Sequence, residues 1–310
     1  MGRRRNDRSE AVDGVLLLNK PAGLTSNQAL QRVKRLLNAR KAGHTGSLDP
    51  AATGMLPLCF GEATKVCAFL LDADKTYRVT AKLGTATDTG DATGSVIESA
   101  AVPPMTADEW DAVLQRFQGE SLQVPPMYSA LKKDGKRLYE LARKGETVER
   151  QPRPIRIDEI RLLEAAGTRL VFRVRCSKGT YVRSLVEDIA RAAGTVAHTA
   201  RLHRETVADF GAGEMLDLEA VEATAADAPA ALRERLLPPD RALTALPEVT
   251  LGAADAERFR GGQAVTAAAA CSRGLARVYG AEHVFVGVGE ISGDGTIAPR
   301  RVFGRPDGNP

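Results

Sequence analysis

A short polar loop carries the acid best placed to do chemistry in this chain. Residues 41–54 read KAGHTGSLDPAATG, and Asp49 is the single acid among mostly small residues. Pro50 fixes the backbone beside it, and the neighbouring glycines allow another chain to approach closely. This setting favours a carboxylate that acts as a nucleophile or general base on a bulky substrate. A helix-capping role for Asp49 explains the same residue equally well.

A second set of candidate residues follows a predicted strand. The segment KGTYVRSL places Tyr181 and Arg183 where this strand gives way to a helix. An arginine at such a junction can pair with an acid or a phosphate. Structural alternatives are a surface position for Arg183, a core position for Tyr77 and a loop hydrogen bond for His44. No second carboxylate lies near Asp49 at a suggestive spacing, so paired-acid glycosidase chemistry has no support.

The distribution of charge points to a polyanionic partner. The chain of 310 residues has a formal net charge of +4. Residues 127–156 contain nine Lys or Arg and four acidic residues, so this segment carries +5 and the rest of the chain −1. A local basic patch on a near-neutral body is typical of phosphate contacts, although a solvated surface has the same composition. The cations that we single out are Lys132, Lys133, Lys136 and Arg137.

The composition excludes several classes of protein. With 43% hydrophobic and 26% charged residues and no apolar run long enough to span a bilayer, the chain is typical of a soluble globular protein. The N-terminal MGRRRNDRSE has no apolar stretch after it, so it predicts a disordered basic tail over residues 1–11 and not a secretory signal. The four Cys and four His lack metal-site spacing, so we predict no metal and buried thiols in a reducing cytoplasm.

The hydrophobic patterns predict the elements that position these residues. Apolar or alternating runs at residues 14–20 and 76–83 predict strands, while residues 26–37 and 181–194 predict amphipathic helices. Because strands and helices mix without regular alternation, we predict an α+β fold. The chain becomes strand-rich again after residue 245, which predicts a small β-rich module.

Five sequence blocks, taken in order, resemble those of a known family. They are GVLLLNKPAGLTS, AGHTGSLDPAATGMLPLCFGEATK, DKTYRVTAKLGTATDTGD, PPMYSALKKDGKRLYELAR and CSKGTYVRSLVEDI. From about residue 12 to 304, the chain is similar to the bacterial TruB family of tRNA pseudouridine synthases. The joined G-x-L-D-P-x-A-T-G and K-x-Y-R-V motifs are the most specific part of this resemblance.

The resemblance implies catalytic roles for three residues. Asp49 matches the family's catalytic aspartate, which attacks the ribose or the base of the target uridine or starts a glycal route. Tyr77 matches the tyrosine that stacks on the flipped base and takes the proton from C5. Arg183 matches the arginine that pairs with the aspartate and holds it ionised.

The resemblance also implies residues that contact RNA. Lys20 matches a lysine that supports the site, and Leu202 an apolar residue that packs against the base. His44 matches the histidine that fills the gap left by the extruded uridine, whose extrusion costs a few kcal/mol. Gly46 belongs to the small residues that let the RNA backbone come close, and Tyr181 to the K-G-T-Y-x-R motif.

The resemblance further implies the domains and partners. We expect a catalytic domain at 12–245, built on a mixed, largely antiparallel sheet flanked by helices, with a basic RNA-clamping insertion at about 124–153. A PUA-like domain at 246–310 is expected to contact the acceptor stem of tRNA, while the catalytic domain acts on the T-arm uridine at position 55. The expected protein is a cytoplasmic monomer without cofactor, membrane or obligatory protein partner.

Two other functions remain open for this sequence. The first is a tRNA-folding chaperone whose isomerase activity is secondary. The second is a guide-RNA-dependent pseudouridine synthase that works inside a ribonucleoprotein. The complete basic insertion argues against the second, because a synthase that finds its own substrate needs its own RNA clamp.

Overall fold

The structure, a computed structural model, describes residues 11–129, 131–133, 135–266 and 273–304. Residues 1–10, most of the predicted basic tail, lie outside the described residues, and so does Cys271. Among the other cysteines, Cys59 and Cys176 are buried as predicted, whereas Cys67 is only partly buried. Within the described ranges, no helix combines the length and apolar character needed to cross a bilayer.

The described residues before 245 form strands and helices, and most of these strands assemble into one large sheet. The strands are β1 Gly14–Lys20, β2 Ala42–His44, β3 Thr53–Phe60, β4 Lys75–Leu83, β5 Thr85–Thr87, β6 Val96–Ser99, β7 Gly119–Gln123, β8 Lys132–Lys133, β9 Lys136–Arg137, β10 Arg153–Ala166, β11 Arg169–Cys176, β12 Ala197–Val207 and β13 Leu216–Asp217. The helices are α1 Ser26–Leu36, α2 Cys67–Asp72, α3 Ala107–Gln115, α4 Leu138–Ala142, α5 Val182–Ala192, α6 Leu218–Asp227 and α7 Pro229–Glu234.

The central sheet is mixed and largely antiparallel. Its strand order is β13-β1-β3-β12-β4-β11-β10-β7, and β2 pairs with β3 beside this path. The β1–β13 and β3–β12 pairs are parallel, whereas the β1–β3, β4–β12, β4–β11, β10–β11 and β7–β10 pairs are antiparallel. The predicted α+β fold with a sheet flanked by helices is therefore confirmed.

Local sequence explains where the flanking helices begin and end. Thr25 and Gln28 form a capping box at the start of α1, and Thr106 and Glu109 form one at the start of α3. Helix α5 is followed by Gly194, whose φ of +76° is the left-handed conformation common after a helix.

Two core clusters divide the sheet into halves. In the first cluster, α3 and α5 pack on β4, β10 and β11. In the second, α1, α6 and α7 pack on β1 and β3. Tyr77 on β4 and Leu202 on β12 contact both clusters, so they lie at the seam between the halves.

The C-terminal part forms a second sheet that is attached to the first unit. It contains β14 Glu248–Thr250, α8 Ala253–Arg260, β15 Val265–Thr266, β16 Gly274–Tyr279, β17 Phe285–Ile291 and β18 Thr296–Val302, with strand order β14-β16-β17-β18-β15. Its own core includes Phe259 of α8, a helix that the sequence analysis did not predict. Val288 and Phe303 instead pack against Leu17 and Leu70 of the first unit. The predicted β-rich module is thus confirmed, and it shares a core with the central sheet.

Strand β12 is central to the sheet but was missed by the sequence analysis. Its sequence, AHTARLHRETV, contains many polar residues and lacks the alternation that marks a half-buried strand. Two register shifts, after Thr199 and after Arg204, change which side chains face the core. Strand β5 pairs with β6 in a separate two-stranded sheet.

Gly54 allows β3 and β12 to approach closely at the seam. It has a φ of +102°, and a Cβ at this position would lie 2.2 Å from the backbone oxygen of Arg204. A residue with a side chain would therefore meet both backbone strain and a steric clash with backbone that cannot move aside.

We expect Gly54→Ala to lower the free energy of unfolding by about 2 kcal/mol or more, because strain and clash add. The matched control is Gly119→Ala, since Gly119 has nearly the same φ, +101°, but open space around it. Urea unfolding of both variants measures the difference. Equal losses of stability in the two variants would show that the close approach of the strands contributes nothing.

Candidate active site

The loop that carries Asp49 is held on both sides of the acid. The Ser26 hydroxyl accepts a hydrogen bond from the Leu48 backbone N–H at 2.8 Å and donates one to the Leu48 carbonyl at 3.1 Å. The Pro50 carbonyl accepts from the Gly23 N–H at 2.8 Å. Leu48 is also buried in the second core cluster. The residues before and after Asp49 are therefore fixed, and no helix begins at Asp49, so it is not a helix cap.

Arg183 approaches Asp49 from the opposite half of the sheet. Its Nε lies 3.0 Å from Oδ2 of Asp49, and its side chain is 7% exposed, against 43% for Asp49. The Arg183 Nη1 and Nη2 atoms donate to the carbonyls of Thr89 and Tyr128, each at 2.7 Å. Asp91 adds a second carboxylate, 3.7 Å from Nη1. The guanidinium is thus fixed on every side while the Asp49 carboxylate keeps a solvent-facing edge.

The surroundings of Asp49 act on its pKa in opposite directions. Partial burial is the largest influence and raises the pKa of Asp49 above the ordinary value. The Arg183 guanidinium and Lys20 lower it, whereas the Asp91 carboxylate raises it. An activity that needs ionised Asp49 would fall as the pH decreases through this pKa, and a further rise in the pKa would move that fall to higher pH.

Tyr77 and Leu202 lie near Asp49, where the two halves of the central sheet meet. Burial raises the pKa of the Tyr77 phenol, and the positive charge of the Arg204 guanidinium opposes that rise. Leu202 on β12 pairs with Val79 on β4. The pair formed by Arg204 and Tyr77 lies two residues further along the same two strands. An aromatic ring and an aliphatic side chain thus lie together where the two core clusters meet.

Lys20 and His44 border the same loop. The Lys20 side chain is fully buried, and its Nζ donates to the carbonyls of Pro21 and Leu24, each at 2.8 Å. Burial lowers the pKa of Lys20 to about 8, although Asp49 opposes the shift. Burial also lowers the pKa of His44, which favours the neutral imidazole. Its buried Nδ1 has no hydrogen-bond partner among the described residues.

Tyr181 lies at the start of α5, next to Arg183. Its backbone N–H donates to Oε1 of Gln123 at 2.8 Å, and Nε2 of Gln123 donates to the Tyr181 carbonyl at 3.1 Å. Burial raises the pKa of the Tyr181 phenol. Gln123 ends β7, directly before the predicted insertion, so its two hydrogen bonds link the start of α5 to the beginning of that insertion.

The predicted basic cluster lies on a small hairpin formed by β8 and β9. Lys132 pairs with Arg137, and Lys133 with Lys136. The side chains of Lys136 and Arg137 are exposed. Four cations therefore share two short strands, apart from the Asp49 loop in sequence but joined to the site through Tyr128.

Gly46 has a local structural reason to be glycine. Its φ is +69°, and a Cβ would lie 3.4 Å from Nη1 of Arg204 and 3.6 Å from Cε of Lys75. A substitution here would strain the loop whether or not RNA is bound. The expected contact between Gly46 and RNA stays a prediction.

The sequence analysis missed several residues that build the site. Ser26, Asp91 and Arg204 were not selected, although Ser26 and Arg204 hold the Asp49 loop and Asp91 lies beside the Arg183 guanidinium. A serine at the start of a predicted helix and a carboxylate in a polar loop have many structural uses, so their types gave no signal. Arg204 lies on the strand that the sequence pattern did not reveal.

Comparison with known families matches nearly the whole chain. The model described as TruB family pseudouridylate synthase (N terminal domain) matches residues 34–182. The tRNA pseudouridylate synthase B C-terminal domain matches residues 183–244, and Pseudouridine synthase II TruB, C-terminal, matches residues 247–303. The chain belongs to the TruB family.

Members of the TruB family are similar to this chain over almost their full length. The tRNA pseudouridine synthase B of Nitrosococcus oceani is 49% identical over 303 residues, which is 98% of each protein. The protein of the same name from Pseudomonas putida strain GB-1 is 51% identical, and the alignment covers 94% of this chain and 96% of that protein. The Aeromonas salmonicida protein of the same name is 48% identical over 97% of both.

Solved structures have the same fold at lower identity. The Cbf5-Nop10-Gar1 complex contains a chain that is 27% identical, with a TM-score of 0.71 over 93% of this chain and 81% of that one. A chain of an H/ACA RNP bound to a substrate RNA containing 2′-deoxyuridine has a TM-score of 0.73 at 24% identity over 96% of this chain and 87% of that one.

Neutralising the two charges beside Asp49 should move its pKa in opposite directions. Arg183→Gln removes the cation that lowers the pKa, so the pKa should rise, whereas Asp91→Asn removes a charge that raises it, so the pKa should fall. An NMR titration of the Asp49 carboxyl carbon measures both shifts.

The control is Arg191→Gln, because Arg191 lies on the same helix with a side chain that is 64% exposed. This variant should leave the Asp49 titration unchanged. Shifts of the same sign in Arg183→Gln and Asp91→Asn would contradict the electrostatic account.

Proposed function

We propose that this protein is a tRNA pseudouridine synthase that isomerises the T-loop uridine at position 55. The observation that carries the proposal is the 3.0 Å ion pair between a half-exposed Asp49 and a buried Arg183. It lies beside Tyr77 on a chain of the TruB family, whose relatives at 48–51% identity are named tRNA pseudouridine synthase B. The reaction is an intramolecular transfer without a cofactor.

The chemistry assigned to Asp49 needs a fixed carboxylate with one open edge. In pseudouridine formation the bond from C1′ to N1 breaks, the uracil rotates, and a bond from C1′ to C5 forms. The proton lost from C5 is balanced by one gained at N1. Asp49 assists the cleavage as the ionised carboxylate, and Arg183 orients it and opposes the effect of burial on its pKa.

Tyr77 is assigned to the base after cleavage. Its ring lies at the seam with Leu202, where a planar uracil would find an aromatic and an aliphatic surface. In this role the Tyr77 oxygen takes the C5 proton, and Leu202 packs against the base.

His44 and Lys20 are assigned to holding the RNA around the flipped nucleotide. A uridine inside a folded T-loop must leave its stack before its glycosidic bond can react. His44, with a pKa lowered by burial, offers a flat neutral ring to occupy the vacated place. Lys20, held among carbonyl oxygens, adds positive charge that lowers the Asp49 pKa.

The RNA surfaces are assigned to the basic hairpin and the C-terminal module. Lys132, Lys133, Lys136 and Arg137 would contact phosphates of the T-arm, and Tyr181 would contact RNA next to the site. The β-rich module would contact the acceptor stem. We place the enzyme in the cytoplasm as a monomer with a catalytic domain at 12–245 and a PUA-like domain at 246–310.

The alternatives predict different dependence on Asp49 and on partners. A tRNA-folding chaperone would need RNA binding but not Asp49, and a guide-RNA-dependent synthase would need added RNA and protein. The relatives named tRNA pseudouridine synthase B favour a stand-alone enzyme. Incubating the pure chain with unmodified tRNA, followed by mapping of pseudouridine, separates these functions.

We expect Asp49→Asn to abolish pseudouridine formation while leaving tRNA affinity within about threefold of wild type, because only the nucleophile or base is removed. Single-turnover assays and a filter-binding titration with T-arm RNA measure the two effects. The control is Asp72→Asn, since the Asp72 side chain is 65% exposed and pairs with Lys178. A wild-type rate in Asp49→Asn would remove Asp49 from the mechanism.

Replacing Lys132, Lys133, Lys136 and Arg137 by Gln should weaken tRNA binding and reduce its salt dependence. For every phosphate that is no longer neutralised, the slope of log K against log salt should become shallower by about 0.7 to 0.9. The matched control replaces four exposed cations of the central sheet, which are Arg78, Lys82, Arg161 and Arg201. An unchanged slope in the hairpin variant, or an equal change in the control, would exclude the hairpin as a phosphate-binding surface.

A further inference from the structure

Arg204 is a buried arginine at the centre of the site that has no assigned role. Its side chain is 1% exposed and is the largest fully buried side chain among the described residues. Its described hydrogen bonds are to backbone carbonyl oxygens, not to a carboxylate. Burying a guanidinium is costly unless its donors are satisfied, so such a group needs a structural or functional reason.

The first contacts of Arg204 join the two ends of the Asp49 loop. Its Nε donates to the Met55 carbonyl at 2.6 Å, and its Nη2 donates to the Gly46 carbonyl at 2.8 Å. Gly46 precedes Asp49 by three residues, and Met55 follows it by six. One rigid, planar side chain therefore sets the distance between the points where the loop leaves and rejoins the sheet.

Arg204 also lies opposite Tyr77, because the two residues are register partners across β12 and β4. A guanidinium can only donate hydrogen bonds, so towards Arg204 the phenol oxygen can act only as an acceptor. The cation also favours the tyrosinate form of Tyr77 against the effect of burial.

The charge of Arg204 extends to other basic groups of the site. Burial lowers the pKa of Lys75 to about 8, and Arg204 adds to this shift. Lys75 holds its Nζ against carbonyls at the end of α2, at 2.7 Å from that of Leu71. The Arg204 charge also contributes to the lowered pKa values of Lys20 and His44. Arg204 thus lies at the centre of a cationic cluster behind the Asp49 loop.

We propose that Arg204 is a positioning residue for the isomerisation: it fixes the Asp49 loop relative to Tyr77 and orients the Tyr77 oxygen as a proton acceptor. This role rests on the proposed function of the site. It explains why the central strand β12 carries a buried cation. Arg204 needs no contact with the substrate to act.

The test compares Arg204→Gln with Arg201→Gln, an exposed arginine on the same strand. We expect Arg204→Gln to reduce the single-turnover rate by about a hundredfold, with tRNA affinity within about threefold of wild type, because the reacting groups lose their alignment. The rising limb of the pH–rate profile should also lie at higher pH than in wild type, because Tyr77 loses a cation that lowers its pKa. Arg201→Gln should behave as wild type.

A second measurement does not depend on activity. In protein labelled with ¹³C at the ring carbon bearing the tyrosine hydroxyl, with Tyr77→Phe used for assignment, the Tyr77 pKa should be higher in Arg204→Gln than in wild type without any RNA present. If wild-type protein forms no pseudouridine, the proposed function is wrong, while this titration still tests the Arg204–Tyr77 contact. An unchanged titration together with a rate that falls only in proportion to the folded fraction would overturn the positioning role.

Arg204→Lys keeps the test decisive if Arg204→Gln does not fold. The lysine retains the charge but cannot donate to the Met55 and Gly46 carbonyls from one planar group. We expect a folded Arg204→Lys protein with a Tyr77 titration near that of wild type and a rate reduced by about tenfold or more. A wild-type rate in this variant would show that the fork geometry of Arg204 is dispensable.

Discussion

The ion pair between Asp49 and Arg183 joins the two halves of the central sheet. Asp49 belongs to a loop anchored in the core of α1, β1 and β3, whereas Arg183 belongs to α5 over β4 and β11. The 3.0 Å contact therefore depends on how both halves pack at the seam. The more buried of the two partners is the cation, and its carbonyl acceptors fix it before any substrate arrives. A preorganised cation of this kind requires no rearrangement when charge develops on the acid.

A second cation gives the site its other fixed point. Arg204 holds the Asp49 loop from beneath, so the acid lies between a guanidinium that binds its carboxylate and one that binds the backbone of its loop. Positive charge nearby would normally lower the pKa of an aspartate, yet burial has the larger influence on Asp49. The carboxylate is thus neither fully stabilised by charge nor fully solvated.

The sequence could predict residues whose chemistry shows in a local motif, but not those that act through the fold. Asp49, Tyr77 and Arg183 lie in compact motifs, and the strands and helices that carry the last two follow regular apolar patterns. Arg204 lies on β12, where polar residues and register shifts hide the alternation. Ser26 could be predicted as a residue at the start of α1 but not as the anchor of Leu48, 22 positions away. Contacts between distant segments need the register of the sheet, which no local pattern encodes.

The acceptors of Arg183 link the predicted RNA clamp to the acid. The Tyr128 carbonyl that binds Nη2 lies at the start of the segment leading to the β8–β9 hairpin, and Tyr181, next to Arg183, is held by Gln123 before the same segment. A movement of this segment must either carry the Arg183 guanidinium with it or break a 2.7 Å hydrogen bond. The Nε atom of the same guanidinium lies 3.0 Å from Oδ2 of Asp49. One side chain therefore contacts both Asp49 and the segment that leads to the hairpin.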